Sequence, residues 1–181
     1  MRRFARYVTA LLLALPAIAH AHPETGFLPD AIAETEYRIV LEITPKDCAT
    51  RNRLGIVLYR KNKLKDAAQQ FAEVLKIIPA DFDAHDGMGL VRSKEGNPTE
   101  AITWFRKAIS IKRDDTLIHY NLGLAFEKLG RLAEAESSYK ESLAVNSALL
   151  KRGINRELEA GKTAMIQTAL KNIQSKMKTG R

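Results

Sequence analysis

Ile118-His119-Tyr120-Asn121-Leu122-Gly123-Leu124-Ala125-Phe126, followed by Ala135 and Tyr139, is the stretch that decides the fold. Its glycine is the third of a series, Gly55, Gly89 and Gly123, spaced 34 residues apart. The alanines Ala67, Ala101 and Ala135 hold the same interval, and so do the aromatics Phe71, Phe105 and Tyr139. Three residue types keeping one period over three copies mean that one supersecondary unit is stacked three times. The units are 48–81, 82–115 and 116–149, and each reads as two helices. A glycine inside a helix costs about 1 kcal/mol against alanine, so it needs a reason. Close approach supplies it: the second helix presses on the first where the side chain is missing. The aromatic, four residues after the alanine, lies on the same face and fills the space beside the contact.

The punctuation between helices agrees. Asp47, Asp81 and Asp115 stand where each first helix needs an N-cap. Asn62, Gly96 and Gly130 stand where each first helix ends. Asn97-Pro98-Thr99-Glu100 predicts a cap, an N1 proline and a glutamate three residues on. The recurrence also reaches backward, because Ala33, Tyr37 and Pro45 lie one period before Ala67, Phe71 and Pro79. Residues 30–47 therefore read as the second helix of a preceding half-unit, and 22–29 as an extended lead-in. After unit three, Leu149, Leu150, Ile154 and Leu158 predict a capping helix that Gly161 breaks. Residues 162–178 then form a second helix with Ile166, Leu170, Ile173 and Met177 on one face and lysines mostly elsewhere.

These units resemble the tetratricopeptide repeat family. Leu-Gly (Met88-Gly89 in unit two), Ala and Phe or Tyr match its pattern. The family's tryptophan position instead holds Arg51, His85 and His119, and Arg113 and Ser147 replace its closing proline. The resemblance implies an all-α, right-handed superhelical solenoid whose first helices line a concave binding face. Carried onto this chain, it implies groove residues Asn52, Ile56, Tyr59, Arg60, Asp86, Leu90, Lys94, Tyr120, Leu124 and Lys128. Ser93 and Glu127 lie at the same positions as Tyr59. Ile56, Leu90 and Leu124 form an apolar floor, and Arg60, Lys94 and Lys128 a basic row. That combination suits an extended or helical peptide with acidic groups or a free carboxylate. The macrodipole by itself also favours cations at helix C-termini, so the basic row has a purely structural explanation as well. The family's clamp for C-terminal carboxylates is not indicated, because Ile56, Gly87 and Leu117 stand where it needs polar groups.

The N-terminus reads as an export signal. Arg2, Arg3 and Arg6 precede the apolar run from Tyr7 to Ala19, and Ala19-His20-Ala21 is a cleavage signal. The expectation is a periplasmic or secreted protein after cleavage at residue 21, with an uncleaved membrane tether as the alternative. The net charge of +8 comes from this segment and from the tail after residue 150. The intervening chain is near neutral, so no nucleic-acid partner is expected. Cys48 is the only cysteine and allows no intramolecular disulfide. His85 and His119 share a repeat position, but a third ligand is not evident, so no metal and no cofactor are expected. No catalytic motif is present: no G-x-S-x-G, H-E-x-x-H or phosphate-binding loop.

The sequence thus points to a non-catalytic interaction scaffold or assembly factor of the bacterial periplasm or envelope, with a protein or peptide partner. Two alternatives remain open. One is a peripheral membrane adaptor using the basic C-terminal helix, and the other, weaker one is a metal-linked accessory protein. The truncated half-unit also leaves room for a homo-oligomer.

Overall fold

The computed structural model describes residues 29–179. The expected signal segment and all of the lead-in except Pro29 lie outside the described residues. Eight α-helices, and no strands, make up the described chain: α1 Asp30–Ile43, α2 Cys48–Arg60, α3 Leu64–Ile77, α4 Phe82–Lys94, α5 Pro98–Ile111, α6 Thr116–Lys128, α7 Leu132–Lys151 and α8 Arg156–Thr179. Each helix packs on the next, which gives an all-α solenoid. First helices also touch one another, α2 with α4, α4 with α6 and α6 with α8, whereas α3, α5 and α7 do not meet. The first helices are therefore the inner, concave layer.

The recurring residues pack as their types require. A Cβ on Gly55, Gly89 or Gly123 would sit 2.6 Å, 2.4 Å or 2.5 Å from the ring of Phe71, Phe105 or Tyr139, inside any tolerable contact. Each aromatic ring thus lies directly on the glycine of its own unit, with Ala67, Ala101 and Ala135 buried beside it. Asp47, Asp81 and Asp115 accept hydrogen bonds from the backbone N–H groups of Thr50, Ala84 and Ile118 at 3.2 Å, 2.8 Å and 3.2 Å. Asn62, Gly96 and Gly130 adopt φ of 62°, 83° and 71°, the left-handed turn that releases the chain toward the second helix. Asn97 differs from expectation. Its side chain caps nothing, and Glu100 instead lies 3.2 Å from Arg92 of the preceding helix.

The residues at the family's tryptophan position share one task. Arg51 donates to the Pro45 carbonyl at 3.0 Å and 2.6 Å. The Nε2 atoms of His85 and His119 lie 2.9 Å from the Pro79 carbonyl and 2.8 Å from the Arg113 carbonyl. Three different polar side chains thereby tie each first helix to the carbonyl six residues upstream. The histidines are structural, and no group of three metal-ligating side chains exists among the described residues.

The two ends differ in chemistry. At the N-terminus, α1 buries Ala33 against α2. Glu34 is held by Lys61 at 2.6 Å, Lys63 at 2.9 Å and Arg38 at 3.0 Å. The Lys61 and Lys63 hydrogen bonds, then that of Arg38, outweigh burial and lower its carboxyl to about 2. At the C-terminus the expected break at Gly161 does not occur. Units one and two end on the cap residues Asp81 and Asp115, but Leu149 occupies the equivalent place in unit three, so α7 runs on to Lys151. The chain turns at 152–155, where Gly153 and Asn155 take φ of 70° and 45°. Gly161 sits inside α8 with open space where a Cβ would lie, so it costs helix propensity but meets no obstacle.

The capping role passes to α8. Ile166 and Ile173 are fully buried and Leu170 packs on the same core, while Ile154 and Leu158, expected to cover unit three, are exposed. The apolar face that would have served a membrane surface is thus spent within the fold. No described helix is long and apolar enough to cross a membrane. A buried polar cluster fixes the start of α8. Glu159 accepts from Thr116 at 2.6 Å and Asn146 at 2.9 Å and pairs with Lys162 at 2.6 Å. Burial opposes its charge, but the Lys162, Thr116 and Asn146 hydrogen bonds keep its carboxyl below the usual range.

Candidate functional site

On each first helix the residues four apart share the inner face: Asn52, Ile56 and Arg60; Asp86, Leu90 and Lys94; Tyr120, Leu124 and Lys128. A concave pocket of about 580 Å³ opens over the junction of units two and three. Of the expected groove residues it gathers Tyr59, Leu90, Lys94, Leu124 and Lys128, joined by Ser93, Asn121, Phe105, Glu127 and Lys176. A second pocket of about 490 Å³ continues it between α6 and α8, sharing Leu124 and Glu127. Tyr120 and Tyr139, whose ring centroids are 5.4 Å apart, lie on that side with Met165, Thr168, Ala169 and Asn172 of α8.

The groove wall contributed by α8 escaped the sequence reading. A helix expected to stand beyond the capping helix takes the place that the first helix of a fourth unit would have. The signal was present in the sequence: Met165, Ala169, Asn172 and Lys176 fall at helical spacing, but the apolar face at Ile166 and Ile173 is the stronger one and drew the assignment.

Other expected residues sit differently. Asn52 is buried, at 7% exposure, and its amide donates to Asp81 at 2.9 Å, so it joins units rather than lining the groove. Ile56 is partly buried against the core of unit one. Arg60 pairs with Asp30 of α1 at 2.9 Å. Lys94 donates to the Tyr59 carbonyl at 3.1 Å, with its ammonium 4.6 Å from the centre of the Tyr59 ring. Lys128 repeats the contact one unit on, donating to the Ser93 carbonyl at 2.8 Å. Lys94 and Lys128 therefore stitch units two and three to the end of the preceding first helix, while Arg60 ties unit one to the start of α1. Both ammonium groups belong to exposed residues at the pocket edge, where each keeps donors to spare. Lys176 bonds Glu127 at 2.7 Å, and Tyr139 donates to the same carboxylate at 2.8 Å. Burial opposes the charge of Glu127, but those two donors hold it below its usual range.

Asp86 departs most from the pattern. It is half-buried, Asn121 hydrogen-bonds to it, and its Oδ1 is shielded from solvent with no hydrogen-bond partner. Burial first, and then the charge of Asp115, push its carboxyl up to about 7, with Asp83 adding and Asn121 opposing. Burial and the charge of Asp86 in turn raise the Tyr59 phenol.

Comparison with known proteins identifies the repeat. Residues 48–78 and 116–148 match the tetratricopeptide repeat, and residues 93–130 match a further model of the same repeat that spans a unit boundary. The chain carries tetratricopeptide repeats over these residues. No curated protein sequence matches it. Among solved structures it is similar to the Yersinia enterocolitica type III secretion translocator chaperone SycD, at 18% identity and a TM-score of 0.64 over 72% of this chain and 85% of that one. PcrH in complex with the chaperone binding region of PopD gives 18% identity and 0.64, over 75% and 95%. MamA gives 17% identity and 0.58, over 81% and 88%. At these identities the likeness is one of fold.

Proposed function

We propose that this tetratricopeptide repeat protein is a non-catalytic adaptor that holds a segment of a partner protein in its concave groove. Its work would be the assembly or scaffolding of a complex in the bacterial periplasm or envelope. The observation that carries the reading is the continuous inner face. Leu90, Leu124 and Met165 supply an apolar floor with exposed surface, donors from Lys94 and Lys128 edge it, and Asn121, Asn172 and Thr168 add polar partners. An apolar floor flanked by polar and charged side chains is what an extended or helical segment needs for both affinity and register. Solved relatives of the same fold support it: SycD has been determined in complex with a peptide of the translocator YopD, and PcrH with the chaperone binding region of PopD. Arg2, Arg3, Arg6, the run from Tyr7 to Ala19 and the Ala19-His20-Ala21 signal support export.

The test is photocrosslinking in intact cells with a benzophenone side chain at position 90, 124 or 165, against positions 77 and 111 on the outer helices. Discrete adducts from the groove positions alone support the reading. Adducts from neither set, or equally from both, would sink it. N-terminal sequencing of the mature protein checks export, which predicts a start at His22.

A further inference from the structure

Asp86 has a built-in control in the same chain. Asn52, one period earlier, donates its amide to Asp81, the cap of the next unit. Asp86, at the same repeat position, feels the charge of Asp115, the cap of the following unit, and has a carboxyl where Asn52 has an amide. Each makes one hydrogen bond across its junction, Asn52 to Asp81 and Asp86 with Asn121, and each leaves its Oδ1 shielded without a partner, but only Asp86 brings a carboxyl. Asp86 has no cation partner among the described residues, and its inner oxygen is orphaned. An unsatisfied buried polar group costs stability, so its presence calls for an explanation beyond packing. The groups around it are Tyr59 from α2, Asp83 on its own helix, and Asp115 and Asn121 from α6, none of them positive. Tyr59 and Asn121 both line the 580 Å³ pocket, and Asp86, hydrogen-bonded with Asn121, lies behind that lining rather than in it.

We propose that Asp86 receives a basic side chain, lysine or arginine, from the segment bound in the groove. This assignment rests on the groove reading and specifies its ligand: an apolar segment carrying one cation at a fixed position. A ligand ammonium or guanidinium supplies the charge that the surrounding acids lack and the donors that the carboxyl needs. Leu90, one helical turn along the same face, takes the adjoining apolar side chain. Lys94, a further turn on, repels a second cation, which fixes the direction in which the segment lies. A cation also stabilises the ionised carboxylate, so binding below about pH 7 releases a proton.

The probe is a random dodecapeptide library displayed on phage and selected at about pH 8, where the carboxyl is ionised. Wild type, Asp86→Asn and Leu124→Asp proteins are selected in parallel. The Asp86→Asn protein restores the Asn52 type of junction and so folds. Wild type is expected to enrich apolar peptides with one lysine or arginine at a fixed place. The Asp86→Asn protein enriches the apolar residues without the basic one and binds the wild-type peptide about ten-fold more weakly or worse. Replacing the peptide's basic residue by norleucine removes that difference. Affinity of wild type for the basic peptide rises between about pH 6 and pH 8, and that of Asp86→Asn stays flat. Wild-type peptides lacking a basic residue, or equal binding to Asp86→Asn, would overturn the assignment and leave the groove reading intact. If no selected peptide depends on Leu124, the groove reading falls and the assignment falls with it.

Discussion

The junction between units one and two and the junction between units two and three use the same repeat positions with different chemistry. At the first, Phe71 is held between Gly55 and Gly87, and the Asn52 amide closes onto Asp81. At the second, Phe105 has Gly89 on one side, but Asn121 stands in the place of Gly87 and Asp86 in the place of Asn52. The 580 Å³ pocket reaches Phe105 and Asn121 at the second junction but neither Phe71 nor Gly87 at the first, and the Asp86 carboxyl beside Asn121 keeps one oxygen without a partner. A repeat array is stabilised by its intrinsic units and by the interfaces between neighbours. Here the second interface carries a carboxyl where the first carries an amide, and the pocket reaches its aromatic ring, which is where a binding site is expected.

Exchanging the two chemistries tests that contrast. The largest effect is expected for Asn52→Asp, which places a second carboxyl against Asp81 in a buried position. It should cost about 3 kcal/mol or more in chemical denaturation at neutral pH, and less in acid. Gly87→Ala comes next. Its Cβ would lie 2.4 Å from the Phe71 ring, so the first junction loses about 1–3 kcal/mol to overpacking. Asn121→Ala at the equivalent position of the second junction should cost about 1 kcal/mol, the scale of one hydrogen bond. A similar cost at both positions would mean that the two junctions are equally tight.

The reverse exchange, Asp86→Asn, should stabilise the protein by about 1–2 kcal/mol at pH 8 through a bond to Asp115 and the loss of an unpaired charge. The sign with pH follows from the direction of the shift. The folded carboxyl titrates at about 7, above the ordinary value of 3.8. The wild-type stability from this group is therefore fully present below about 3.8 and is lost as pH rises through 7. The advantage of Asp86→Asn should accordingly grow between pH 4 and pH 7 and then level off. A constant advantage across that range would show that Asp86 is not strained by its charge. The smallest effect expected is for Gly161→Ala, away from both junctions, a gain of up to about 1 kcal/mol from helix propensity alone.

Much of this architecture was legible in the sequence, for a physical reason. Positions buried between helices admit few side chains, so Gly55, Ala67 and Phe71 had to recur. Asp47, Asp81 and Asp115 recur because helix N-termini need an acceptor. The end of the array was less legible because its signal was an absence: no aspartate at Leu149, hence no helix start there and a longer α7. Gly161 was misread as a break because composition does not show whether a glycine meets a neighbour. The groove was legible as a face but not as a set of contacts. Asn52 and Asp86 occupy one repeat position, and the sequence does not show that each bonds across its junction, to Asp81 and with Asn121, instead of lining the pocket. The wall from α8 was hidden by a stronger apolar stripe on the same helix.

The central claim is that the second junction is the binding site, and titration of the Asp86 carboxyl carbon by NMR tests it most directly. With the protein free, the account predicts a midpoint near 7. With a groove-selected basic peptide bound, the midpoint should fall by about one unit or more, since an ion pair formed in a partly buried site favours the carboxylate. A midpoint near 4 in the free protein, or one that does not move when the peptide binds, would contradict it.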